Sequence, residues 1–563
     1  MSFKDEKIVE EKTCRKCSTI FHVTDKDLEF YKKVSPSFWW TKYSIPTPTL
    51  CPDCRQQRRL SWRNESTLYK RKCDATEKNI ISTFHADSPY TVYSQDYWWS
   101  DNWNAMDYGK EPDFDRPFFE QFSELLKQVP LINIMNDNNV ASTNCDYSFD
   151  CWYSKNCYFV ICAWRIEDSM YCNVCLSEMK DCIDCNWVMT NAQHCFECIF
   201  CKDINNCFYL QNSSSCHKCM LWFNLHGCDL CYGCTNLTNK KYCLFNEQLS
   251  EEQYKKEMEN RNFKEDRERF EELKKGIIHK AQYQINSTNC TGDHFMDSKD
   301  CVYTFDGIRM KDCKYYFIWD AAKDCMDILI SWECELGYEN VTCDQWYMTR
   351  FSIYSCKDTN ALYSQYCFGC KNIFWCIALR NKEYCIFNKQ YTKQEYEKLV
   401  PKIIEKMERD SEWWEFFPSN ISPFGYNESM AKDDYPLEER DYHFHWTDYY
   451  THVAKVEKTI PAHKLPESIK DIPDDILNWA IECEITKKPF RIMEAELNFY
   501  RKHSTPIPRR HPDQRYADRL GMRNPRKLNK DNCDKCNKDI KTTYSGDRKE
   551  TVYCEECYNN SIY

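Results

Sequence analysis

The sequence predicts a mainly β protein with paired modules at its ends and a repetitive, solenoid-like centre. Three observations predict it. C-x-x-C pairs occur twice near each terminus, a cysteine period of twelve runs between them, and two internal duplications relate the halves. Read together, they give duplicated zinc-ribbon modules flanking two Cys-rich β-solenoid repeats with connecting helices.

The chain has 563 residues, with 39 Cys, 31 Phe, 18 Trp and 38 Tyr against only 11 Gly. So few glycines leave no phosphate-cradling loop, and G-x-G-x-x-G, Walker A, G-x-S-x-G and H-E-x-x-H patterns are all absent. No catalytic motif is found, and the expectation is a non-enzymatic protein. Apolar runs fall short of the roughly 18 residues a membrane span needs, so no membrane partner is expected. The opening Met-Ser-Phe-Lys-Asp-Glu-Lys lacks the apolar core of a secretory signal. A cytoplasmic location follows as an expectation, and in a reducing compartment cysteine spacing means metal or packing rather than disulfides.

The cysteines divide into five before residue 98, five after 480, and 29 between 145 and 385. The outer blocks carry the strongest metal signal. Cys14-Arg-Lys-Cys17 with Cys51-Pro-Asp-Cys54, and Cys533-Asp-Lys-Cys536 with Cys554-Glu-Glu-Cys557, each supply four thiolates, as closed tetrahedral zinc requires. Two structural zinc ions are expected. The two ends are also copies. Offset by 460, residues 51–97 and 511–557 share 18 of 47 positions, including Pro52-Asp53 with Pro512-Asp513 and Thr91-Val92-Tyr93 with Thr551-Val552-Tyr553. Each copy holds two ribbons and has lost a different one. Cys73, Thr76, Ser94 and Tyr97 stand opposite the C-terminal ligands; Cys483, Thr486, His511 and Gln514 stand opposite the N-terminal ones after a nine-residue shift. Threonine, glutamine and tyrosine are poor zinc ligands, so these two ribbons are expected to survive as packed β-hairpins. The copied modules are expected to pack on each other as an intramolecular pseudo-dimer.

Residues 14–59 carry C-x-x-C, Phe21, Thr24, Phe30-Tyr31 and Cys-Pro-x-Cys-Arg. This stretch resembles the probable zinc-ribbon domain of many uncharacterised bacterial proteins, and departs from it by an insertion around Phe38-Trp39-Trp40. The whole chain is similar to long bacterial Cys-rich zinc-ribbon proteins of unassigned function. The resemblance implies a bacterial, zinc-bound ribbon and no particular process.

In the centre, Cys290, Cys301, Cys313 and Cys325 are spaced 11, 12 and 12, while Cys157, Met170, Cys182, Cys195 and Cys207 step by 12 or 13. Asn156, Asp181, Asn206, Asp300, Asp312 and Asp324 precede such positions. Strand-length segments at a fixed period, with Asx at the turns, predict a β-solenoid whose small interior cysteines stack from coil to coil. Such a period allows a coil of 12 or 24 residues. At an offset of 142, ten of the 20 residues from 237 to 256 recur. Each copy then opens a helix with a capping box, Ser250-x-x-Gln253 or Thr392-x-x-Glu395, with Pro401 expected to kink the second. The competing assignment for the central C-x-x-C pairs is metal, best placed around Cys228, Cys231 and Cys234.

The expected order is a module at 1–97, a helical connector at 98–140, the first solenoid copy at 141–247 and a helix at 248–284. A second copy at 285–390, a helix at 391–417, a connector at 418–480 and the second module at 481–563 complete it. Helices are expected from an Asp115 cap to about Gln128 and from about Asp474 to Cys483. By count, residues 1–97 carry +4, 481–563 carry +5 and 98–480 carry −20. Arginines beside the ribbons, Arg58, Arg59, Arg63, Arg519 and Arg523, are candidates for phosphate contact, or for pairing with the acidic centre. The Trp39-Trp40, Trp98-Trp99 and Trp413-Trp414 doublets offer stacking platforms or packing; His443, His445 and His452 offer weak metal ligands. The function expected is a zinc-binding scaffold for protein partners. Its alternatives are nucleic-acid binding through the basic stretches, and a thiol-rich metal-handling or redox role.

Overall fold

The twelve-residue period is the length of one physical coil. The computed structural model describes residues 6–562 apart from 39, 177, 260, 316, 324–325, 329–331, 336, 338, 342–346, 439 and 450–455. Most parallel strands pair residues twelve positions apart, as Cys151 with Ala163, Cys207 with Cys219 and Arg350 with Leu362. Asn173 with Asn186 and Lys180 with Gln193 are thirteen apart, and Gln284 with Phe295 eleven. The 24-residue coil is thereby excluded. About 18 such turns make the protein mainly β, at 31% strand and 23% helix.

Each coil is built on a shorter unit that the sequence analysis did not isolate. From Asp150 to Tyr171 every third residue has a φ between 49° and 54°. A coil is therefore a square of four three-residue sides with a left-handed corner at each vertex. The residue after each corner points inward: Cys151, Ser154, Cys157, Val160, Ala163, Ile166, Ser169 and Cys172 are all buried. C-x-x-C is thus the spacing between adjacent walls of one coil.

The bore is filled mostly by Cys, Ser, Ala and Val, with larger rungs at Ile166, Ile204, Leu210 and Leu225, and its inward amides and carbonyls need partners. Ser154 and Ser213 each donate to the carbonyl two residues back at 2.9 Å and accept the amide twelve residues on at 3.1 Å. Cysteine does the same. The Cys207 thiol lies 3.4 Å from Asn205 O and 3.4 Å from Cys216 O, and Cys234 Sγ accepts the Asn246 amide at 3.4 Å.

The corners are stabilised from outside. L-residues pay about 1–2 kcal/mol for left-handed backbone, and Asn or Asp tolerates it best. Asn144, Asn156 and Asp168 form a side-chain ladder of 3.2 and 2.8 Å hydrogen bonds up one edge. Elsewhere the corners are aromatic. Phe351, Tyr363, Trp375 and Phe387 all have positive φ and stack in sequence, with ring centroids 4.7, 4.3 and 6.0 Å apart. Each such contact contributes about 0.5–1.5 kcal/mol, which offsets the corner strain.

Both capping boxes form, and Tyr254 and Tyr396, 142 positions apart, are buried at the ends of the two copies. Several helix boundaries differ from expectation. The first helical stretch divides into Glu251–Met258 and Phe263–Lys274, then gives way to a strand, Ile278–Lys280. Pro401 lies inside an unbroken helix, Lys393–Arg409, because Tyr396, Val400, Ile403, Ile404 and Met407 pin both halves into the core. Asp115 is not the cap of its helix, which spans Phe118–Gln128. The Phe118 and Phe119 amides instead donate to the distant Glu412 carboxylate at 2.9 and 3.2 Å. The helix expected at 474–483 is a short 3-10 turn, Asp474–Asn478, followed by a strand, Ala480–Glu482, which forms an antiparallel hairpin with Pro489–Phe490.

The two solenoid copies run antiparallel: Phe149 meets Tyr354 at 5.6 Å between ring centroids, while His294 stacks on Phe200 at 3.9 Å. Each terminal module straddles both. In the N-terminal module, Val92–Tyr93 pairs with Leu131–Ile132 ahead of the first copy. Its helix Asp25–Val34 docks on the second copy, where Lys314 reaches Asp27 at 2.8 Å. The C-terminal module crosses the other way. Thr551–Tyr553 pairs with Ile278–Lys280 ahead of the second copy, and Tyr171 of the first copy reaches Glu496 at 3.4 Å. Asp27 and Glu496 are equivalent under the nine-residue shift, and each occupies the third position of its helix. The modules approach each other at Tyr303, whose hydroxyl lies 3.5 Å from both Asp53 Oδ1 and Arg526 O. The expected pseudo-dimer contact is mediated there by a solenoid side chain.

Candidate metal centres

Each terminal tetrad joins a hairpin turn to a helix N-terminus. Cys14 opens a turn in which its amide bonds Thr19 O at 2.9 Å and its carbonyl accepts the Ser18 amide at 3.0 Å; Ser18 takes the left-handed conformation. Cys51 caps the helix Pro52–Leu60, which places Cys54 in the first turn. At the other end, Cys533 opens the equivalent turn, and Cys554 precedes the helix Glu555–Ile562 with Cys557 in its first turn. Helix N-termini and turn amides both favour thiolate.

The sulfurs of Cys14, Cys17, Cys51 and Cys54 lie within 4.8 Å of one another, as do those of Cys533, Cys536, Cys554 and Cys557. A tetrahedron with metal–sulfur distances of about 2.3 Å has edges of about 3.8 Å. Cys17 and Cys51 are 3.6 Å apart, and Cys536 and Cys554 are 3.8 Å apart. Both tetrads therefore fit a four-sulfur metal ion. Burial pushes the Cys533 thiol up, but amide hydrogen bonds from Cys554, Cys536 and Lys535 outweigh it and hold the pKa at about 6.

Every cysteine whose side chain is described is a free thiol. Cys228, Cys231 and Cys234 do not converge as a metal set; they follow three successive corners, and each thiol donates to the carbonyl two residues back. Cys483 and His511 belong to no cluster of three ligands among the described residues. His511 instead accepts the Asp513 amide at 3.1 Å, and His443 bonds Asp441 at 2.7 Å. Trp39, His452, Asp324 and Cys325 lie outside the described residues. Trp98, Trp413 and Trp414 are buried in the core, while Trp40 is 98% exposed.

The five candidate arginines are buried in ion pairs. Arg58 reaches Glu339 at 2.7 Å and Glu415 at 3.1 Å; Arg59 reaches Asp327 at 3.3 Å; Arg63 engages Glu65 and Asp150. Arg519 bonds Asp184 at 2.9 Å, and Arg523 engages Asp434 beside Asp306. Their side chains are between 0 and 12% exposed, which leaves little guanidinium for a phosphate. The pairing follows the duplication. Arg55 and Arg59 clamp Asp327 of the second copy, and Arg515 and Arg519, 460 positions on, clamp Asp184 of the first.

Two further groups of ligand atoms come together that the sequence analysis did not single out. Cys145, Cys151 and Cys157 converge inside the first copy, and Asp181, His194 and His503 meet where the C-terminal module docks. The first was readable once the coil length was known, since steps of six and twelve reach the opposite wall and the next coil. The second needed the docking itself. No protein-family model matches the chain, and neither curated proteins nor solved structures yield a match. Among the described residues no helix is long and apolar enough to cross a membrane.

Proposed function

We propose that this protein is a zinc-stabilised, non-enzymatic scaffold. Its two four-cysteine ribbons lock the terminal modules onto a double solenoid, whose outer faces serve protein partners. The observation that carries this is the four-sulfur closure at both ends. Structural zinc sites use all four positions for protein ligands, whereas catalytic sites keep one open. The resemblance of residues 14–59 to bacterial zinc ribbons agrees with zinc as the ion. Nucleic-acid binding has weaker support, because the basic residues that suggested it are committed to buried ion pairs.

Elemental analysis of the untagged, anaerobically purified chain tests the reading, with two zinc ions per chain expected. Fewer than two, or iron in place of zinc, overturns it. Binding to a mixed-sequence oligonucleotide, falling steeply with salt, would transfer the support to the nucleic-acid alternative.

A further inference from the structure

The first solenoid copy contains a thiol group that packing alone does not distinguish. In a twelve-residue square coil, Cys151 sits half a coil from both Cys145 and Cys157, on the opposite wall. Cys145 and Cys157 stack directly, one coil apart. All three sulfurs lie within 4.8 Å of one another, and all three residues are buried. Among the described residues, no other three solenoid cysteines meet so closely. The remaining walls carry Ser148 and Ser154, whose hydroxyls are occupied by Cys157 O and Trp152 O and by the amides of Val160 and Ile166. The group therefore offers three sulfurs and no free fourth ligand.

Cys157, 3% exposed, lines a cavity of about 420 Å³ together with Asp146, Asp168, Asp181, Met170 and Met493. Asp181 is already paired with Lys502 and His194, so Asp146 and Asp168 are the carboxylates left there to draw a cation.

We propose that Cys145, Cys151 and Cys157 form a third metal site, three-coordinate and selective for a soft monovalent cation of the Cu(I) type. Tetrahedral zinc is poorly served by three sulfurs in a closed bore, whereas thiolate and thioether donors favour Cu(I). The ion enters as Cu(I) and bonds to the sulfurs as their thiol protons leave to solvent; no electron is transferred. The site is independent of the two terminal tetrads, so its failure and theirs are separately visible.

The test uses the full-length, zinc-loaded chain, with Cu(I) supplied anaerobically and challenged by a colorimetric Cu(I) chelator. One copper per chain should be retained with both zinc ions undisturbed, and X-ray absorption should show three sulfur neighbours. Cys151→Ser should lose that copper, as should Cys145→Ser and Cys157→Ser, with native circular dichroism. Serine already occupies equivalent rungs at 148 and 154, so these exchanges preserve the ladder. Cys228→Ser/Cys231→Ser makes the same chemical change in later coils and should keep the copper. Three results overturn the proposal: no copper retained by the wild type, copper entering only as zinc leaves, or copper retained undiminished by Cys151→Ser.

Discussion

Four hairpin turns in this protein share one backbone, and only two of them belong to a cysteine tetrad. At Cys14, Cys73, Cys483 and Cys533 the cysteine amide bonds the carbonyl five residues on, at 2.9, 2.9, 3.1 and 2.9 Å. In each, the fourth residue after the cysteine is left-handed: Ser18, Glu77, Lys487 and Asn537, with φ of 59°, 57°, 60° and 59°. Even the partner segments agree. Ser94 donates its amide to Cys73 Sγ at 3.3 Å, and Cys554 donates its own to Cys533 Sγ at 3.2 Å. The turn therefore survives loss of the ligand set. What replaces the ligands is apolar packing. Trp98, Trp99 and Trp103 pack together on the segment that follows Ser94, and Ile481, Phe490, Phe499 and Tyr500 share a buried cluster with Cys483. Among the described residues, the cluster around Cys533 is smaller: Ala281, Cys533, Ile540, Tyr544, Val552 and Cys554, with Tyr553 and Cys557 packed against it. The Cys483 turn sits in a packed core without a tetrad, the Cys533 turn has a tetrad with little core, and the Cys14 turn has both.

The strongest way to break this comparison is to remove the metal. Structural zinc contributes about 10–16 kcal/mol in isolated fingers, far more than so small a cluster supplies. Chelation should sharply lower, without erasing, hydrogen-exchange protection across 529–553 while leaving the Cys73 and Cys483 hairpins at full protection. The Cys14 ribbon should lose less than the Cys533 ribbon, because Phe21, Val23, Phe30 and Tyr31 belong to the main core. Equal loss at all four turns would end the argument.

The next test concerns the arginine clamps. Asp184→Ala takes the shared carboxylate from Arg515 and Arg519 and leaves Arg515 with Glu496, and Asp327→Ala takes it from Arg55 and Arg59 and leaves Arg59 with Glu339. Breaking a buried ion pair by removing one partner costs about 3–5 kcal/mol, so both variants should melt earlier, and by similar amounts if the duplication governs stability.

Acid should sharpen the contrast between ribbons. The Cys533 thiol is depressed to about 6 in the folded chain, below its unfolded value of about 8.5. Its contribution to the metal-free ribbon is fully present above about 8.5 and is lost as pH falls through about 6. Protection of the metal-free 529–553 hairpin, measured by NMR, should fall over that window.

The smallest effect is expected inside the bore. Cys198→Ser exchanges one rung type for another and should cost less than about 1.5 kcal/mol. Cys198→Leu overfills the coil and should cost about 1–3 kcal/mol, both read by chemical denaturation.

Much of this was legible in the residues themselves. The tetrads, the duplications and the twelve-residue period are covalent spacing, and spacing is local information. Cys14 to Cys17 must turn, and Cys51 to Cys54 must fit a helical turn, whatever surrounds them. The capping boxes at Ser250 and Thr392 are local in the same sense. Local rules failed where a distant group took over. Glu412 supplied the cap expected from Asp115, and buried apolar contacts kept Pro401 within its helix.

The sequence by itself determined the ligand sets and the repeat, because both are set by separations along the chain. Only the tertiary structure decided what the arginines do and which thiols converge. A basic residue reads alike whether it faces a phosphate or a buried aspartate 272 positions away, as Arg55 does. A C-x-x-C pair likewise reads alike whether its sulfurs share a metal or follow two corners of a coil. Burial and the direction of a side chain separate those outcomes, and both exist only once the coils have stacked and the modules have crossed over them.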